Sequence, residues 1–490
     1  MFKKFFYLHP FFAALIPAIF LWSNDFLGLL PKGLFSTLAV LITFAGLIFF
    51  IFWLFWRDLG KAAITSSLFL LLTLSHEYIY SYTIGKFILS KPVFNVTGFV
   101  LSLIIFFAAI YVVKRADKDL FDANKMIFSI ACFFLLISFI KIGVYYQSSE
   151  SQSIRNGTES IIQTLIPSNK LRDVYYIILD EHASPEVLRD VMEYKKIDEF
   201  VSSLEKKGFF VAKQSTSNYH DTDFSLPSSL NMRYLTKEEI ESAVQLRRLT
   251  EDHYLKDFFR DKGYNYFNFG TIWRDQENRY ADGNITAGNL SFYQLSLWER
   301  TVFYPIGTFI VRNYLGDNAL ELLNSKFISK LISFDKRVRY TKDTIFKLEE
   351  LAKVPERKGP NFVFAHFFIP HEPYVFDGEC RFVAYKEMVK RSQTENYLQA
   401  VACIDKKIEA LMNTLLEKSD PDPIIIIQGD HGARFLKPDE LDYKNLNAYY
   451  FPDGGDSLLY DSITPVNSFR IMFNYYFGQN FELLEDKIEL

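Results

Sequence analysis

The sequence predicts a two-part protein: an N-terminal bundle of five transmembrane α-helices, then an α/β domain with a mostly parallel central sheet covered by helices. Three observations lead there. Five apolar stretches of bilayer-spanning length fill the first 145 of 490 residues. After residue 171 the pattern changes to short β-rich runs separated by amphipathic segments. The charge also divides, with 12 Lys/Arg against 7 Asp/Glu in residues 1–150 and 42 against 51 in the remainder. The near balance of the whole, a net charge of −4, gives no basic face for nucleic acid, so none is expected as a partner.

The apolar stretches lie at about 9–30, 34–56, 62–80, 94–113 and 126–144. One cleaved signal peptide would explain only the first of them. Segments hydrophobic all round, such as LFSTLAVLITFAGLIFFIFWLFW, are rare outside lipid. Basic residues set the orientation. With the N-terminus inside, Lys3, Lys4, Arg57, Lys61, Lys114, Arg115, Lys118 and Lys125 are cytoplasmic, and only Lys32, Lys86 and Lys91 fall in outer loops. Five spans then carry the chain across, so the expected organisation is a membrane domain over 1–145, a polar linker over 146–170 and an extracytoplasmic domain over 171–490. His76 and Glu77 sit near the outer end of the third stretch. They read either as an interfacial pair touching water or as a functional pair facing the active site from below.

In the second part, DVYYIILD (173–180), YNYFNF (264–269), FVFAHFFI (362–369) and PIIIIQGD (423–430) read as strands buried on both faces. EEIESAVQLRRL and TENYLQAVACIDKKIEALMNTLLEK read as helices. In such sheets chemistry gathers at the carboxyl ends of strands. Asp180, Glu181 and His182 follow the first run, Pro370 and His371 the third, and Asp430 and His431 the fourth. Any one set can be explained as helix capping, but three together suit an oxygen and nitrogen metal site. The segment 215–235 supplies hydroxyls, Thr222 and Ser225, ahead of LPSSLN, a Pro-containing break before a helix. Such a hydroxyl is either a loop residue or a nucleophile activated by the cation.

The order and context of ILDE, NYHDTDFSLP, PHEPY, QGDHG and PVNSFRIMFNYYF resemble the alkaline phosphatase superfamily, specifically its membrane-bound sulfatase-like branch of phosphoethanolamine transferases and lipoteichoic acid synthases. The resemblance covers nearly the whole chain and implies an α/β/α sulfatase-like domain. It implies Glu181 as an acidic metal ligand with Asp180 as a second candidate, Thr222 as nucleophile and ligand, and Asp430 and His431 as the remaining ligands of a divalent ion (Zn, Mn, Mg or Ca). His371 would contact the transferred phosphoryl group or a second metal, and Trp273 and Arg274 would hold a headgroup. The sulfatase Cys/Ser-x-Pro-x-Arg signature is absent around Thr222, which argues against sulfatase activity.

The implied function is transfer of phosphoethanolamine or phosphoglycerol from a phospholipid donor to a glycan or lipid-glycan acceptor of the cell envelope, by a multi-pass cell (inner) membrane enzyme. The alternatives are a tethered phosphate- or sulfate-ester hydrolase and a silent scaffold, against which the retained Glu181, Thr222, Asp430 and His431 argue. Cys380 and Cys403 either pair or stay as free thiols, and Cys132 lies within the fifth stretch as a packing residue.

Overall fold

The structure, a computed structural model, describes residues 2–25, 31, 33–83, 91–116, 120–153, 171–271, 277–287, 290–310 and 336–489. The chain forms two compact units, Met1–Ser160 with Asn289–Val311, and Ile161–Gly288 with Arg312–Leu490. A segment enclosed by the second unit's sequence therefore belongs to the first.

The first unit contains α1 (His9–Asp25), α2 (Leu34–Trp56), α3 (Leu59–Leu74), α4 (His76–Thr83), α5 (Lys91–Arg115) and α6 (Phe121–Ser153). Among the described residues, four stretches are long and apolar enough to cross a membrane: Lys4–Asn24, Leu34–Trp56, Thr97–Arg115 and Phe121–Val144. The expected third span over 62–80 is not one helix. It breaks at Ser75, leaving α3 with 16 residues.

The cause of the break is visible in the main chain. An unbroken helix would bond the Glu77 N–H to the Thr73 carbonyl, but here Glu77 N–H donates to Arg300 O (3.0 Å) and Thr73 O accepts from Val302 N–H (2.8 Å). The segment around Arg300–Val302 has been inserted into the helical ladder, a recognised origin of kinks. The helices Phe292–Glu299 and Phe303–Ile310 flank this insertion. Tyr293 Oη donates to Ala18 O at 2.9 Å, and Gln294 Nε2 reaches Ser36 Oγ at 3.3 Å. His76 is buried at the break, and Glu77 Oε2 lies 4.0 Å from Arg300 Nε. Elsewhere in the unit the buried His9 ring bridges Ser67 Oγ (2.6 Å) and Asn124 Oδ1 (2.9 Å), tying α1, α3 and α6 through polar contacts. Helix α6 runs through Ser153 into the expected linker, whose remainder lies outside the described residues.

The second unit is built on a seven-stranded sheet of order β2-β7-β6-β1-β5-β3-β4. Its strands are β1 (Val174–Leu179), β2 (Phe210–Val211), β3 (Asn265–Phe269), β4 (Gly283–Asn284), β5 (Asn361–Phe367), β6 (Ile424–Gln428) and β7 (Asn447–Tyr450). The four expected runs form the parallel centre, while β7 and β2 add an antiparallel edge. Alternation divides each central strand between two cores. Tyr175, Ile177 and Leu179 join Val363, Ala365, Ile425 and Ile427 on one face, against α7 (Ile197–Lys206) and the helix Gln393–Lys418. Val174, Tyr176 and Ile178 join Phe362, Phe364, Ile424 and Ile426 on the other, against α8 (Thr222–Asn231) and the helices Tyr254–Asp261 and Pro465–Phe477.

Two helical expectations need correction. EEIESAVQLRRL divides into Lys237–Ile240 and Ala243–Glu251 because Thr236 and Ser242 each cap a new start. Pro227 lies inside α8 rather than ahead of it, since the Asp221 carboxylate caps the helix one residue before Thr222. The proline removes one intrahelical bond, and the buried face running from Ser225 to Leu230 keeps the helix in place. Cys380 and Cys403 form a disulfide with Cα atoms 4.9 Å apart, and Cys132 is free.

Because Ile177 is fully buried at the sheet centre, Ile177→Ala should lower the stability of the second unit by about 2–5 kcal/mol, whereas Glu417→Ala on the exposed helix surface should change it by less than about 0.5 kcal/mol. Denaturant unfolding followed by hydrogen exchange in peptides of the second unit checks this, and equal effects would contradict the assigned core.

Candidate active site and metal centre

Strands β6, β1 and β5 are adjacent and parallel, so their carboxyl ends open on one edge of the sheet. The register places Ile178 level with both His366 and Gln428, which brings Asp180, His366 and Asp430 to that edge together. After β1 the chain turns sharply at Glu181, whose φ of 66° lies in the left-handed region. The turn is over-determined. Glu181 N–H donates to Asp430 Oδ1 (2.9 Å), Tyr397 Oη donates to Glu181 O (2.8 Å), and the same phenol accepts from Ala183 N–H (3.0 Å). The His182 ring behind it spans Ala183 O and Asp405 Oδ1, each at 2.9 Å. The glycines around Asp430 and His431 are there for space: a side chain at Gly429 would collide with the His182 carbonyl, and one at Gly432 with the Leu441 and Lys444 carbonyls 2.6 Å away.

Thr222 is the first residue of α8, and its Oγ1 donates to Asp430 Oδ2 at 2.5 Å. The same oxygen lies 3.3 Å from His431 Nε2. His431 Nδ1–H donates to Gly432 O (2.8 Å), which turns Nε2 toward Thr222 Oγ1, Asp430 Oδ2 (3.5 Å) and Asp180 Oδ1 (3.9 Å). Across the cluster, His366 Nε2 lies 3.2 Å from Asp180 Oδ2.

Among the described residues, Asp180, His366 and Asp430 offer donor atoms all within 4.8 Å of one another, and all three residues are buried. Among the described residues Asp180 Oδ1 is buried with no hydrogen-bond partner, an arrangement that costs free energy unless a cation fills its open acceptor position. Carboxylates and imidazoles in this number fit a divalent ion, and Thr222 Oγ1 and His431 Nε2 lie at hand as further donors.

The electrostatics of the cluster point the same way. Burial pushes the Asp180 carboxyl up, but the neighbouring imidazoles of His371, His366 and His431 outweigh it and hold it well below the usual carboxylate range. Burial opposes charging of His431, yet the neighbouring Asp430 and Asp180 carboxylates hold its pKa above the ordinary histidine value. Burial raises Glu181, against the pull of the nearby His371 and His431 rings.

Of the residues expected from sequence, the structure brings Asp180, Thr222, Asp430 and His431 into one cluster. The Glu181 carboxylate adjoins it and accepts from the Arg434 backbone N–H at 2.9 Å. His371 lies against Arg434, its Nε2 accepting from Nη2 at 2.9 Å and its Nδ1–H donating to Glu372 O at 2.6 Å. Trp273 and Arg274 lie outside the described residues. Sequence reasoning missed His366, Asp221 and Arg434. The one signal for His366 was an imidazole within an otherwise apolar strand, FVFAHFFI.

Residues 173–471, well over half of the chain, match the sulfatase family model. The chain belongs to the sulfatase family. Solved structures similar to this sulfatase-family chain include the integral membrane lipooligosaccharide phosphoethanolamine transferase A (EptA) from Neisseria meningitidis, 14% identical with a TM-score of 0.32, covering 93% of this chain and 89% of that one. The C-terminal periplasmic domain of phosphoethanolamine transferase EptC from Campylobacter jejuni is 13% identical with a TM-score of 0.37, covering 64% and 92%. The lipoteichoic acid synthase LtaP from Listeria monocytogenes is 12% identical with a TM-score of 0.34, covering 58% and 66%. No curated protein matches the sequence.

With His431 Nε2 as a ligand, cation binding competes with the proton that the neighbouring carboxylates favour on this ring. Affinity should therefore be full above the raised His431 pKa and should fall as pH drops through it, with protons released on binding. Calorimetric titration of the purified protein with Zn or Mn between pH 6 and 9 measures this, and a pH-independent affinity would refute His431 as a ligand. His366→Ala should reduce bound metal at every pH, by about 10-fold or more in affinity.

Proposed function

We propose that the protein is a metal-dependent membrane transferase that moves a phospho-alcohol headgroup, phosphoethanolamine or phosphoglycerol, from a phospholipid to a cell-envelope glycan through a covalent phospho-threonine. The observation that carries this reading is the Thr222 hydroxyl, hydrogen-bonded to Asp430 at 2.5 Å inside a buried carboxylate–imidazole cluster, in a chain that also carries apolar helices of membrane-spanning length. Membership of the sulfatase family supports the reaction class.

A divalent cation held by Asp180, His366 and Asp430, with Thr222, His431 and Glu181 beside them, would supply Lewis-acid stabilisation of the threonine alkoxide and of charge on the phosphoryl oxygens. Thr222 Oγ1 attacks phosphorus, and the bond from phosphorus to the diacylglycerol oxygen breaks. Asp430 Oδ2, which accepts the hydroxyl hydrogen bond, orients the attacking lone pair and takes the Thr222 proton as the O–P bond forms, passing it on to solvent. His431 Nε2, 3.3 Å from Thr222 Oγ1, stands among the groups that would hold the cation, and the departing diacylglycerol oxygen takes its proton from solvent. In the second half-reaction an acceptor hydroxyl attacks the phospho-threonine and Thr222 is regenerated. The tight, buried turn at Glu181 preorganises these groups, so little rearrangement accompanies attack.

The membrane helices keep the enzyme with a donor that cannot leave the bilayer. An extracytoplasmic catalytic domain follows from the basic residues of the first unit. The segment that returns from the second unit's sequence meets the start of α2 at Ser36 and the end of α3 at Thr73, which supports that orientation because these are ends expected outside.

In membranes supplied with phospholipids labelled in the headgroup and with envelope glycan, the label should appear on the glycan, with diacylglycerol as co-product. Thr222→Ala should abolish this while keeping its metal, and Thr222→Ser should retain a fraction of it. Label released only into water would establish the tethered hydrolase instead, and full activity of Thr222→Ala would remove the covalent step.

A further inference from the structure

Arg434 has no part in the scheme above, yet its guanidinium lies beside this cluster, bonded to Asp221 and His371. It follows Asp430 by four positions in the loop after β6. Its backbone N–H donates to Glu181 Oε1 at 2.9 Å, which fixes the main chain whatever the side chain does. The guanidinium reaches Asp221 Oδ2 through Nη1 (3.0 Å) and His371 Nε2 through Nη2 (2.9 Å), while Nε lies 3.8 Å from Glu181 Oε1. Its side chain is 35% exposed, so the fork is anchored on the cluster and still open to an incoming molecule. Asp221 immediately precedes Thr222, and the guanidinium therefore sits beside the peptide that carries the nucleophile.

Two further facts give this position a meaning. His371 donates through Nδ1 to Glu372 O and accepts through Nε2 from Arg434, so neither ring nitrogen presents a free N–H to an entering oxygen. The donor at this place is the arginine. Beside the cation that Asp180, His366 and Asp430 would hold stand the further carboxylates of Glu181 and Asp221, and an anionic ester approaching them meets like charge unless a second cationic group faces it. A guanidinium has five N–H donors in a planar fork that matches two non-bridging phosphoryl oxygens.

We propose that Arg434 is the phosphoryl clamp of this site: it binds the non-bridging oxygens of a phosphate ester placed for attack by Thr222, with Asp221 and His371 holding the fork in aim. The inference rests on the reading of Thr222 as a phosphoryl-transfer nucleophile. It names the ligand class as phosphate esters and inorganic phosphate, which share the oxygens that Arg434 would bind.

The test uses the full chain in lipid nanodiscs, loaded with Zn or Mn, as wild type, Arg434→Gln and Arg434→Lys. Inorganic phosphate binding is followed by calorimetry, headgroup transfer from labelled lipid by kcat and KM, and metal content by elemental analysis. Arg434→Gln should weaken phosphate binding by about 10- to 100-fold and raise KM for the lipid more than it lowers kcat, with metal content unchanged. Arg434→Lys, which keeps the charge and loses the fork, should recover part of the loss in both arms. A loss in the lipid arm alone would assign Arg434 to the rest of the headgroup and overturn the clamp. Wild-type phosphate affinity in Arg434→Gln, or in Arg434→Lys where the glutamine variant does not fold, would also overturn it, while leaving the transferase reading intact if wild type turns over. A wild type that neither transfers nor hydrolyses any phosphate ester would defeat the underlying reading and the clamp with it.

Discussion

The Asp430 carboxylate is the contact on which the rest of the site depends. It is buried, and a buried carboxylate must fill its acceptor positions or lose several kcal/mol. Its Oδ1 accepts from the Glu181 and His431 N–H groups at 2.9 and 3.0 Å, and its Oδ2 accepts from Thr222. One side chain thereby joins the turn after β1, the turn after β6 and the first residue of α8. Adjacency of β6, β1 and β5 in the sheet makes this economical, since three strand ends deliver Asp430, Asp180 and His366 without long excursions of the chain. The same carboxylate that fixes the fold at this edge also holds the Thr222 hydroxyl, the proposed nucleophile.

The membrane unit is organised by a main-chain constraint of a different kind. Two groups that would have bonded to each other within one helix, Glu77 N–H and Thr73 O, are satisfied instead by Arg300 and Val302 from far along the sequence. In lipid an unsatisfied backbone group is costly, so a break in a helix persists only where another segment supplies the missing partners. The segment Asn289–Val311 does so, and it thereby becomes part of the unit formed by the apolar helices.

How much of this could be read from the residues depended on range. The central strands were legible because apolar runs such as VYYIIL and IIIIQ are buried on both faces and have few alternative readings. Asp180, Asp430 and His431 were legible as polar residues placed just after such runs. His366 was not, because inside a strand an imidazole reads as one more core residue until the register shows it level with the strand end. Arg434 and Asp221 depend on contacts across 213 positions, which no local pattern encodes. The single third span failed for the same reason: composition sees an apolar stretch and is blind to a distant segment entering its hydrogen-bond ladder. The uninterrupted start of α8 was missed because Pro227 outweighed the Asp221 cap in a local reading.

The central claim is that Thr222 forms a covalent bond to phosphorus, and rapid quenching during turnover tests it most directly. Protein mixed with phospholipid in the absence of acceptor, quenched in acid and digested, should carry the mass of one phospho-alcohol group on the peptide containing Thr222. Undiminished turnover with no adduct on that peptide, or with the adduct on another residue, would contradict the account.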